Sequence, residues 1–88
     1  MQLYFEDKYG RLRPIAKVKT LKDANLEIAD FLDKYNYRSH YTRMWISEGE
    51  EKVYLTFDVG SHSEFFKVEF DSREAAKEFL ESGKKEIN

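Results

Sequence analysis

Eighty-eight residues with no cysteine exclude disulfides, thiolate chemistry and cysteine-ligated zinc, and a hydrophobic share of 41% supplies one thin core with no room for a separate catalytic domain. The net charge of −2 is unevenly spread: residues 1–47 hold nine Lys and Arg against six acids, and residues 48–88 hold six against eleven. That balance suits two solvated faces of opposite sign and argues against wholesale binding to a nucleic-acid backbone.

The opening MQLYFEDKYG has no basic stretch running into an apolar one, and no segment approaches the roughly 18 apolar residues of a membrane span, so a cytoplasmic protein with no membrane partner is expected. Leu3-Tyr4-Phe5, then Asp7-Lys8-Tyr9-Gly10, then Leu12 to Val18 read as a first hairpin, with Gly10 taking the left-handed position of its loop. Pro14 has no N–H to give a neighbour, which demotes its strand to a sheet edge. Thr20-Leu21-Lys22-Asp23 is a helix start, a hydroxyl at the N-cap and a carboxylate three residues on. Leu21, Ala24, Ile28, Phe31, Leu32 and Tyr35 then fall on one stripe of that helix, and Asn36 supplies a left-handed stop.

Tyr41 to Ser47 predicts the third strand, joined to the fourth through a two-residue turn with Gly49 first. In that register Ile46 opposes Val53, Trp45 opposes Tyr54, Arg43 opposes Thr56 and Tyr41 opposes Asp58. The stretch from Val53 to Phe70 is a further hairpin with two strongly alternating runs. Pairing Val59 with Phe66, Phe57 with Val68 and Leu55 with Phe70 makes an apolar inner face and sets Asp58 against Lys67 outside. The turn centres on His62 and Ser63, with Gly60 absorbing a bulge. Asp71 or Ser72 caps a second helix whose stripe is Ala75, Ala76, Phe79 and Leu80, which Gly83 ends.

The expected architecture is α+β, in the order β-β-α-β-β-β-α, a mostly antiparallel sheet with two helices on one face. Residues 1–83 make the single domain and 84–88 a frayed tail. Two short helices cover one face of such a sheet, which leaves the other in question.

That outer face carries Tyr41, Arg43, Trp45, Tyr54, Phe65 and Lys67, too aromatic for an idle solvent face. The plain reading is that the first hairpin, the tail or a second copy covers it, or that a Trp45–Tyr54 pair merely stabilises the sheet. The functional reading is a surface for a protein partner or for self-association, since Trp, Tyr and Arg are the usual hot-spot types. A single-stranded nucleic acid stacked on the rings, with Arg43 and Lys67 at its phosphates, is the alternative, disfavoured by the acidity of the chain.

Asp58, His62 and Glu64, with His40 near the same sheet end, suggest a third option, a small metal-dependent hydrolase. Asp58 is better explained by its cross-strand cation and His62 by a polar turn tip, so no metal, cofactor or catalytic residue is assigned. No nucleophile elbow, phosphate loop or paired-His helix is present, and the expectation is a non-enzymatic interaction module.

Tyr41-Thr42-Arg43-Met44-Trp45 and Asp58-Val59-Gly60-Ser61-His62-Ser63-Glu64-Phe65-Phe66, with Leu3-Tyr4-Phe5, resemble small uncharacterised proteins encoded by phages and integrative elements of Gram-positive bacteria. The resemblance implies a mobile-element protein acting inside a bacterial host and assigns no residue a role; that such accessory proteins often bind and redirect host proteins favours the interaction reading by analogy.

Overall fold

Five short alternating runs find one another in a single antiparallel sheet. The computed structural model describes residues 1–37, 43–61 and 63–87. The elements run β1 (Gln2–Glu6), β2 (Leu12–Lys17), α1 (Leu21–Lys34), β3 (Arg43–Glu48), β4 (Val53–Asp58), β5 (Phe65–Phe70) and α2 (Arg73–Ile87), the expected order of an α+β fold. The strands lie side by side as β2-β1-β5-β4-β3, so β2 and β3 are the edges. Pro14 therefore does sit on an edge strand, and the pairing of β1 with β2 slips between Leu3 and Tyr4, next to it.

Both helices pack on one face. Leu3, Leu55, Phe57, Phe66, Val68 and Phe70 point inward and are buried with Ile28 and Phe31 of α1 and Ala76 and Phe79 of α2. The Phe31 ring meets Phe5 and Phe66 at centroid distances of 4.8 and 5.2 Å, while Phe70 meets Phe79 at 5.2 Å. The core is thus shared between the two helices, with Phe70 lying under α2. Arg13 on the edge strand β2 lays its guanidinium over Phe5, Phe31 and Tyr35, closing the flank of the core with a cation that stays wet at its tip.

The local signals at the first helix hold. Thr20 is its N-cap and forms a capping box with Asp23, whose carboxylate accepts from the backbone N–H of Lys19 and Thr20. Those backbone hydrogen bonds hold the Asp23 carboxyl below the usual carboxylate range. Asn36 takes φ 57° just beyond the helix and Gly10 takes φ 79° in the first loop.

Two hairpin registers differ from the sequence expectation by two residues. Leu55 pairs with Val68 and Phe57 with Phe66, and on the other side Ile46 pairs with Leu55 and Trp45 with Thr56. A slip of two keeps every side chain on its face but changes every partner. At the first of these the cause is where the turn is centred: the Gly49 N–H donates to the Lys52 carbonyl at 2.8 Å, which makes Glu50 and Glu51 the tip, one residue later than the expected Gly49 and Glu50. The connection after β4 spans residues 59–64, with Gly60 at φ 92°. Residues 38–42, 62 and 88 lie outside the described set, and with them Tyr41, His40 and His62.

The second helix also departs from expectation. Ser72 caps it through the Ala75 N–H, while Asp71 binds Lys52 at 2.6 Å. Gly83 does not end it: α2 continues to Ile87, through most of the segment expected to be a frayed tail. The reason for a glycine there is the neighbouring helix. A Cβ at position 83 would lie 2.5 Å from Leu21 Cδ2 and 3.4 Å from its Cβ and Cγ. One residue earlier, Ser82 Oγ accepts the Leu21 N–H at 3.1 Å, satisfying a donor at the start of α1 from the flank of α2.

These two contacts lock the helices together, and they set the sign of a substitution. Gly83→Ala gains about 1 kcal/mol in helix propensity but overpacks Leu21 at about 1–3 kcal/mol, so a net loss of about 1 kcal/mol is expected. In a Leu21→Ala background the same change should be neutral or stabilising. Thermal midpoints of the four proteins check this, and equal effects in both backgrounds would refute it.

Candidate functional site: the open sheet face

The strand period that buries one face delivers the alternate residues to the other. Across the middle of that outer face runs one cross-strand row, Pro14, Tyr4, Lys67, Thr56 and Trp45 in order from edge to edge. Both helices are on the opposite side, and the first hairpin is part of the sheet, so neither covers the row, as the plain reading of the sequence had allowed. Trp45 is 41% exposed there.

Five of the six residues expected at the site are described, and all five lie on this face: Arg43 and Trp45 on β3, Tyr54 on β4, Phe65 and Lys67 on β5. The partners differ from the expected ones. Trp45 does not face Tyr54; it lies beside Thr56 and meets the Phe65 ring edge-on at 6.3 Å. Tyr54 instead receives Lys67, whose ammonium stands 5.3 Å from the ring centroid.

Two carboxylates organise the cations. Lys67 Nζ donates to Glu6 Oε2 at 2.9 Å, and both side chains are mostly covered. Arg43 Nη2 donates to Asp58 Oδ2 at 2.8 Å, which replaces the expected Asp58–Lys67 pair. Asp58 is buried although it belongs to the outer face, and its other oxygen accepts the Gly60 N–H at 2.9 Å. Thr56, also buried, shares a hydroxyl hydrogen bond of 3.1 Å with Ser47.

Between these groups lies a shallow hollow of about 160 Å³, lined by Glu6, Trp45, Ser47, Thr56, Phe65 and Lys67. Its floor is hydroxyl, its walls are two aromatic rings and its far rim is the Glu6–Lys67 ion pair. Such a hollow accepts a side chain that is apolar along its length and polar at its end.

No family model, curated protein or solved structure matches this chain. The site therefore rests on its own chemistry. Sequence reading missed Tyr4 and Glu6, which join the face only once β1 is placed beside β5. Strand alternation marks Tyr4 and Glu6 as sharing a face, but nothing local says which strand that face will neighbour.

Of the residues of the metal option, His40 and His62 lie outside the described set, while Asp58 and Glu64 are described. No three of His, Cys, Asp and Glu come together among the described residues, Asp58 is held by Arg43 and Gly60, and Glu64 accepts from Tyr37 Oη at 3.1 Å and Ser61 Oγ at 3.4 Å. Burial and the Glu64 charge push the Tyr37 phenol above its ordinary range, so it stays a donor to that carboxylate. No helix among the described residues is long and apolar enough to cross a membrane.

Proposed function

We propose that this chain is a small non-enzymatic interaction module that binds a protein partner through its open sheet face, a host protein inside a bacterial cell by analogy with accessory proteins of the mobile elements it resembles. The observation that carries the reading is Trp45, exposed on a face that no helix covers, at the lip of a hollow with Phe65 and Lys67.

The pairing of charges separates this from the nucleic-acid alternative. The two cations of the proposed site each have a carboxylate, Lys67 with Glu6 and Arg43 with Asp58, and phosphates would have to displace those acids. A protein side chain meets the same face without that competition. Capture from a Gram-positive lysate, comparing wild type with Trp45→Ala, tests the proposal. The variant should keep its circular dichroism and melting temperature yet bind the captured protein more weakly by about 2 kcal/mol or more. Undiminished capture, or a variant that loses near-UV and far-UV signals together, would remove the site. Oligonucleotide binding that falls steeply with salt would put the nucleic-acid reading in its place.

A further inference from the structure

We propose that β3 is a self-pairing edge, through which two copies of this chain join their sheets antiparallel about a two-fold axis at Trp45. The two edges of the sheet are not alike. On β2 the row of free backbone groups is interrupted by Pro14 and by the slip beside it, two of the devices that blunt an edge. β3 has neither: it pairs with β4 without interruption from Arg43 to Glu48, and among the described residues no strand takes its other side.

One apolar side chain of β3 is left half open. Met44 points to the inner face, where its neighbours Leu55 and Phe57 are fully buried, yet it is 42% exposed because the helices stop short of this edge. A second copy would cover it. An axis perpendicular to the sheet reverses the strand while keeping inner faces on one side, so only residues of like face can oppose each other. Centred on Trp45, the pairing sets Met44 against Ile46 of the second copy inside, and Trp45 against Trp45 and Arg43 against Ser47 outside. A slip of two towards the C-terminus would set Met44 directly against the Glu48 carboxylate in place of the apolar Ile46.

Charge favours the same arrangement. β3 begins with the cation Arg43, paired with Asp58 yet mostly exposed, and ends in Glu48, paired with Arg73 on α2 yet also mostly exposed, with Glu50 and Glu51 in the turn that follows. Antiparallel pairing lays the basic start of each strand beside the acidic end of the other, at both ends of the interface, whereas a parallel pairing would stack like on like. The occupant that matches both the apolar spacing and the charge order of β3 is β3 itself.

The proposed pairing shares Trp45 with the partner surface, and Met44, which faces away from the open side, is the residue that separates the two. Sedimentation of the wild-type chain should show a species of twice 10.5 kDa that dissociates on dilution. Met44→Lys places an inward charge on the edge and should weaken self-association by about tenfold or more while leaving the Trp45-dependent capture intact. Since the chain has no cysteine, Trp45→Cys supplies a clean second readout: mild oxidation should give a disulfide-linked dimer, and Tyr9→Cys, in the distant first loop, should not. A wild-type chain that sediments at 10.5 kDa at every concentration overturns the proposal, as does a dimer that Met44→Lys leaves unchanged or that Trp45→Cys fails to cross-link.

Discussion

Phe57→Ala should lower the unfolding free energy by about 3–5 kcal/mol, enough to unfold much of the population of a domain of this size. Phe57 is wholly buried in β4, with Met44 opposite on β3 and Phe66 opposite on β5, and it is among the largest fully enclosed side chains in the chain. The loss combines the transfer of the ring with the cavity it leaves, and a sheet held on both sides has little freedom to collapse into that space. Urea titrations give the measurement, read as a fall in midpoint at constant slope. Coincident midpoints for the two proteins would mean that the inner face is the other one.

Asp58→Ala should cost about 2 kcal/mol, more than an exposed acid would. The carboxylate is buried at the end of β4, with one oxygen on Arg43 and the other on the Gly60 N–H, and Gly60 is in the left-handed region at φ 92°. Removing it strips the turn of the acceptor that fixes its backbone and leaves a gap beside the Arg43 side chain. The guanidinium itself remains largely in water, so the ion pair contributes little and the lost hydrogen bonds dominate. Asp58→Asn keeps an acceptor for Gly60 and should cost about half as much. Denaturant midpoints in the order wild type, Asn, Ala support this account, and an Ala protein as stable as wild type contradicts it.

What was legible in the sequence, and what was not, follows from the strand period. Leu55, Phe57, Phe66, Val68 and Phe70 were placed on the correct face, and so were Arg43, Trp45, Tyr54, Phe65 and Lys67, because alternation assigns faces from each run alone. Partners require a register, and a register that is off by two satisfies the same alternation. The Asp58–Lys67 pairing looked decisive in sequence since it matched charges across the hairpin; in the fold Arg43 and Glu6 take those two roles from strands further away in the chain. The helix signals that carried through, Thr20 with Asp23 and Asn36, are satisfied within one turn of backbone. Gly83 was misread for the opposite reason. Its cause, the approach of Leu21, lies in another helix and leaves no trace nearby.

The strand order carries a consequence for how the chain finds its fold. Every neighbouring pair in the sheet is a hairpin between consecutive strands except β1 with β5, where Glu6 meets Lys67 across 61 residues. The contact map is therefore two local blocks, β1 and β2 in one and β3, β4 and β5 in the other, stitched by a single long-range seam down the middle of the sheet. Each block closes short loops and gains its pairing quickly, but neither encloses the core until the seam forms, so the search for that one encounter governs the speed of folding. Loop-closure entropy grows only logarithmically, and each doubling of the intervening chain adds about 0.6 kcal/mol. The seam is consequently sensitive to what stands on β1 and β5 and almost indifferent to the length of what joins them.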